Sequence, residues 1–97
     1  MNLKSIPLVS VVIPTYNHAD FIGKALRSVL NQTYQNWEAI VIDNQSIDKT
    51  YEILKKYKDR RIKYFKINNN GIIAKSRNFG IQTAKGEWVA FLDSDDC

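Results

Sequence analysis

The stretch LVSVVIPTYNHADFIGKALRSVLNQ, residues 8–32, changes its hydrophobic period part-way, and that change decides the fold. Its first six residues, Leu8 to Ile13, form an apolar, β-branched run that meets Pro14. Valine and isoleucine lose rotamer freedom in a helix and pack well on a pleated surface, so the run reads as a strand stopped by the proline. From residue 19 the period becomes helical. Phe21, Ile22, Ala25, Leu26, Val29 and Leu30 fall on one side, and Lys24, Arg27, Ser28 and Asn31 on the other. Asn17, with Asp20 three residues on, supplies a start signal for a helix running to Gln32.

The same switch of period recurs outward along the chain. Trp37–Asp43 reads as a second strand, and residues 48–58 as a second amphipathic helix. Ser46 or Asp48 would cap that helix, with Thr50, Leu54 and Tyr57 on one face. Arg61–Ile67 alternates more cleanly, as a strand with a wetter face or at a sheet edge does. The cluster NNNG, residues 68–71, marks a turn. Residues 72–86 give a third helix, closed by Lys85 and Gly86 as a C-terminal cap. Gly80 lies inside it and should weaken it unless a neighbouring backbone comes close. Glu87–Leu92 is the fourth strand. The order βαβαβαβ, with strands apolar on both faces, predicts a Rossmann-like α/β fold. Its sheet is mainly parallel, its crossovers are right-handed and helices cover both faces. Residues 1–97 make one domain without internal repeat or linker.

Composition narrows the function. The net charge is +4, from 14 Lys and Arg against 10 Asp and Glu, and the basic residues are spread along the chain. Without a dense basic tract nucleic acid is a poor partner, whereas a mild positive background suits an anionic small molecule such as a nucleotide diphosphate. The single cysteine, Cys97, cannot form an internal disulfide. The opening MNLKSIPLVSVVIPTYN is too short and too broken in its apolar run for a signal peptide, and no stretch is long enough to span a bilayer.

In an open α/β sheet, ligands bind beyond the carboxyl ends of the strands, where strand order reverses. Three strand ends carry polar groups: PTYN (14–17), DNQS (43–46) and DSDD (93–96). Glycines stand only at 23, 71, 80 and 86, so neither a G-x-G-x-x-G fingerprint nor a P-loop is present. A nucleotide here would need its phosphates neutralised another way, and a carboxylate-held divalent metal would do that. Mg²⁺ takes hard oxygen ligands, which Asp93, Asp95 and Asp96 supply. Taken alone, each motif has a plainer reading. Asp-Ser-Asp-Asp is good turn chemistry, PTYN a strand stop, Asp43 a helix cap and His18 a solvated helix-start residue.

In combination they say more. P-x-Y-N, a helix ending in S-x-L-x-Q-T-Y, a strand-end Asp followed by S-x-D-x-T, R-N-x-G, and A-x-G-E-W before L-D-S-D-D follow one another in order. From Pro7 to Cys97 the chain resembles the nucleotide-binding half of inverting family 2 glycosyltransferases of the GT-A fold. A receiver-like domain would instead place acids after its first strand and an Asp at the end of its third; here those positions read Pro-Thr-Tyr-Asn and Lys-Ile-Asn.

The resemblance implies a site. Pro14, Thr15, Tyr16 and Asn17 would line the base and ribose of the donor, Tyr16 offering its ring to the base. Asp43 and Asn44 stand where the family has Asp-Asp or Asp-Asn, the second position reading the base edge; Gln45 replaces the usual Gly. Arg77 would position the pyrophosphate or sugar. Asp93 would contact ribose or sugar, and Asp95, with Asp96 beside it, would hold Mg²⁺ or Mn²⁺. The donor implied is a nucleotide-diphosphate sugar, a UDP-sugar foremost. The acceptor is a saccharide or lipid-linked hydroxyl in cell-envelope polysaccharide synthesis, at a cytoplasmic location peripheral to the inner face of the membrane. The general base and the acceptor surface would lie beyond Cys97, so these residues are expected to bind donor weakly and not to transfer sugar alone. The alternative is a non-catalytic nucleotide-binding or regulatory module.

Overall fold

The computed structural model describes residues 7–15, 19–44, 50–68 and 73–92. In chain order these form β1 (Val9–Thr15), α1 (Ala19–Leu30), β2 (Trp37–Asp43), α2 (Thr50–Lys55), β3 (Ile62–Lys66), α3 (Ile73–Thr83) and β4 (Trp88–Phe91). All the strand pairs are parallel, and the sheet order is β3-β2-β1-β4. The chain steps from β1 to β2 to β3 in one direction, and α3 then returns it to the far side of β1. Strand order therefore reverses at β1, as the α/β reading requires.

Period-two alternation sorts the strand residues between two layers. Val11, Ile13, Ala39 and Val41 pack against Ile22, Ala25, Leu26 and Val29 of α1 and Leu54 of α2. Val12, Ile40 and Ile42 face the other way, with Phe65 and with Phe79 of α3. The Phe65 and Phe79 rings meet edge-on at 5.3 Å, a geometry favoured by the ring quadrupole. Ile13, Ile22, Leu26 and Ile40 are fully buried, and each such side chain contributes about 1.5–3 kcal/mol relative to exposure. Helices thus lie on both faces of the sheet, and β3 occupies an edge as its alternation suggested.

Four details differ from the sequence reading. First, Pro14 does not stop β1. The strand runs on to Thr15, and Pro14 pairs with Ile42. Val12 O accepts from Leu92 N at 3.0 Å on the β4 side. Pro14, two residues on, aims its hydrogen-less nitrogen at that same side, beyond Phe91, the last β4 residue in the ladder. No ladder bond is lost there, which is the condition under which a sheet tolerates proline. Second, Gly80 is required by side chains rather than by backbone: a Cβ there would lie 2.4 Å from Val12 Cγ1 and 2.8 Å from Ile42 Cδ1. Third, Gly86 is not a helix cap. α3 ends at Thr83, and Gly86 instead presses on β1, where a Cβ would lie 2.6 Å from Leu8 O. Fourth, β4 is not covered on both faces. All four of its residues are exposed, Trp88 at 65%, because β4 is an edge strand that only β1 flanks. The caps proposed at Ser46 or Asp48 lie outside the described residues.

Candidate functional site at the carboxyl ends of β1 and β2

At the switch point the ends of β1 and β2 are tied together. Asn44 N donates to Thr15 O at 3.0 Å, and Ile67 N donates to Asp43 O at 2.8 Å, so the carboxyl ends of β1, β2 and β3 lie side by side. Thr15 is buried, and its Oγ1 has no hydrogen-bond partner among the described residues. Asp43 is 1% exposed. A carboxylate so placed must be hydrogen-bonded, and Tyr64 O–H donates to its Oδ2 at 2.6 Å. Burial raises the Tyr64 pKa above the usual phenol range, and the Asp43 carboxylate it donates to raises it further. Tyr64 is therefore a permanent donor, and it fixes the Asp43 side chain from β3. Behind it the Tyr51 ring of α2 packs at 5.2 Å between centroids.

The residues expected at the site divide as follows. Pro14, Thr15, Asp43 and Asn44 come together at one end of the sheet. Arg77 is exposed on α3; a helix that links parallel strands starts at their carboxyl end, so the first turns of α3 belong to the same end. Tyr16, Asn17, Asp93, Asp95 and Asp96 lie outside the described residues. Among the described residues no three His, Cys, Asp or Glu side chains group as a metal site, and no helix is long and apolar enough to cross a membrane. Tyr64 escaped the sequence reading; the signal was its position in the strand beside β2, on the same face as Asp43. An apolar cavity of about 340 Å³ between Val9, Trp37 and Trp88 lies at the opposite end, where the strands begin, and takes no part in this site.

Comparison with known proteins fits this geometry. The family model "Glycosyl transferase family 2" matches residues 10–97. The chain is 46% identical over 89 residues to UDP-Glc:alpha-D-GlcNAc-diphosphoundecaprenol beta-1,3-glucosyltransferase WfaP of Escherichia coli, covering 92% of this chain and 36% of that protein. It superposes on S. aureus TarS 1–349 in complex with UDP-GlcNAc with a TM-score of 0.81 at 36% identity, covering 90% of this chain and 26% of that one. It also superposes on the mannosyltransferase PcManGT of Pyrobaculum calidifontis, in complex with GDP-Man and Mn²⁺, with a TM-score of 0.77 at 28% identity, covering 92% and 28%. The chain thus spans roughly a quarter to a third of the length of these relatives.

Proposed function

The chain belongs to glycosyl transferase family 2, and from that premise we propose that it is the donor-binding part of an enzyme moving a sugar from a nucleotide diphosphate to an acceptor hydroxyl, with inversion. The observation that carries this is the junction of β1 and β2. A buried carboxylate, Asp43, and a buried hydroxyl, Thr15 Oγ1, which has no hydrogen-bond partner among the described residues, stand beside the strand-order switch point at β1. That is where an α/β sheet takes up a nucleotide. A uridine nucleotide is the donor favoured, since WfaP acts with UDP-Glc and TarS was solved with UDP-GlcNAc. A lipid-linked acceptor, after WfaP, would place the enzyme on the cytoplasmic side of a membrane.

In this reading Tyr16 stacks on the base, Asn44 reads its edge, and Asp43 and Asp93 take ribose hydroxyls as acceptors. Arg77 steadies the pyrophosphate. The donor set Asp95 and Asp96 suits Mg²⁺ or Mn²⁺, both of which prefer hard oxygens. β4 runs in the same direction as β1, with Phe91 paired to Val12, and those residues follow it in sequence. When bound, such an ion would neutralise the charge that develops on the departing diphosphate. The acceptor's proton would go to a carboxylate base outside residues 1–97.

Thermal unfolding of the chain with UDP or GDP, each with and without Mn²⁺, tests this. A ligand at ten times its dissociation constant stabilises by about 1.4 kcal/mol, and in a domain of this size each kcal/mol moves the midpoint by roughly 4–8 °C. The expected result is a Mn²⁺-dependent rise with UDP that Asp95→Asn removes. No rise with either nucleotide would overturn the reading.

A further inference from the structure

At the other end of the sheet, a carboxylate interrupts an apolar strand. Glu38, in WEAIVID, is 4% exposed, and three donors converge on it. Ser10 O–H donates to Oε2 at 2.5 Å, Lys85 N to the same oxygen at 2.7 Å, and Lys63 Nζ to Oε1 at 2.8 Å. Ser10 Oγ in turn accepts from Gly86 N at 2.8 Å. Next along the chain, Glu87 N donates to Leu8 O at 2.9 Å. The cluster therefore binds β1, β2 and β3 to the two residues that lead into β4. Gly86 fits only because it lacks a side chain: a Cβ would lie 2.6 Å from Ser10 Oγ and 2.8 Å from Ser10 N.

What makes this more than a buried ion pair is the state of β4. Strand register is firmly specified where one face is buried and loosely where neither is. β4 has four residues, all exposed, and pairs with β1 alone. Only Leu92, just after it, packs against the core, so the polar contacts at its start carry much of its register. From Gly86 to Phe91 is five residues, about 17 Å of extended chain at ~3.3 Å per residue. A slip of one residue would shift everything downstream by that rise and turn each side chain to the other face. Metal–oxygen distances of about 2.0–2.1 Å leave no room for such an error.

We propose that Glu38, acting with Ser10, is a positioning residue: it sets the register of β4 from the far end of the sheet, and so places the acidic residues that follow the strand. The placement of the acids rests on the nucleotide-sugar reading above; the control of register does not.

The test uses Glu38→Met and Ser10→Ala in this chain, with Lys63→Met as a comparison. Both clamp bonds, from Ser10 and from Lys85, end on Oε2; a glutamine could keep them with its one amide oxygen, whereas methionine has a similar volume and no acceptor oxygen, so Glu38→Met breaks the clamp. Lys63→Met removes the ion pair but leaves the bonds from Ser10 and Lys85. Amide hydrogen exchange should speed about ten-fold or more in β4 for both clamp variants, with Ile40–Ile42 protection unchanged. Lys63→Met should leave β4 as protected as wild type. Titration with UDP, with and without Mn²⁺, gives the second measurement. The affinity gained from Mn²⁺ should fall about ten-fold in the clamp variants, while metal-free UDP affinity, which loses only the Asp93 contact, should fall by less. Unaltered β4 exchange in both variants would overturn the register clamp. Faster β4 exchange with the Mn²⁺-dependent gain intact, or an equal loss with and without Mn²⁺, would overturn the positioning role. Wild-type chain that binds no nucleotide would instead sink the nucleotide reading, while exchange still decides the clamp.

Discussion

A methyl group added at Gly80 would push into Val12 and Ile42, both completely buried. Alanine is a better helix former than glycine by about 1 kcal/mol, but overpacking a filled core costs about 1–3 kcal/mol, and contacts this short belong at the upper end. Gly80→Ala should therefore lower stability by about 1–2 kcal/mol in urea titration; a gain would mean that α3 can move off the sheet. Tyr64→Phe tests the other face. It removes one donor from the buried Asp43 carboxylate, and a hydrogen bond to a charged group contributes about 1.5–3 kcal/mol. The expected outcome is a loss of that size at pH 7, absent when Asp43→Asn is already in place. Sequence showed Asp43 as a strand-end acid, since position and type suffice for that. It could not show Tyr64 as its partner, because which residue of β3 faces Asp43 depends on register.

At the level of elements, β2 and β4 have similar sequences and opposite surroundings. WEAIVID is buried throughout, and WVAF is exposed throughout. Composition made both legible as strands, but only strand order separates a central position from an edge. The order β3-β2-β1-β4 follows from the turn-back at α3, which no local pattern records. The two tryptophans report the difference. Trp37 is 3% exposed and stacked under Arg61 at 3.9 Å, while Trp88 is 65% exposed. In this chain Trp88→Phe should shift the emission maximum to shorter wavelength and nearly abolish acrylamide quenching. Trp37→Phe should leave red-shifted, readily quenched emission. Equal quenching of the two would show that β4 is covered.

Across the whole molecule, stability should fall in acid. Burial would raise the Glu38 pKa, but hydrogen bonds from Lys63, Ser10 and Lys85 outweigh it and leave the group below its usual value. At Asp59, hydrogen bonds from the Arg61 side chain and backbone bring the pKa down to about 2. A folded-state pKa below the unfolded one gives stability that is complete above the unfolded value and is lost as pH falls through the folded value. Denaturant titrations between pH 7 and pH 2 should thus show stability constant down to about pH 5 and falling below it, with a shallower fall in Glu38→Gln. An unchanged slope would mean that Glu38 titrates normally. On this scale the fold was legible almost entirely, because the alternation of strand and helix leaves few topologies. The site was legible in residue type but not in how its parts are held: the ties run between Ser10 and Gly86, 76 positions apart, and between Asp43 and Tyr64.

Pro14 makes one thing permanent. An ordinary residue there would offer β4 another rung, and the two strands could zip onward past Phe91. The imino acid has no hydrogen to give, so within β1 the last amide able to donate toward β4 is that of Val12. Covalent structure, not packing, sets that limit.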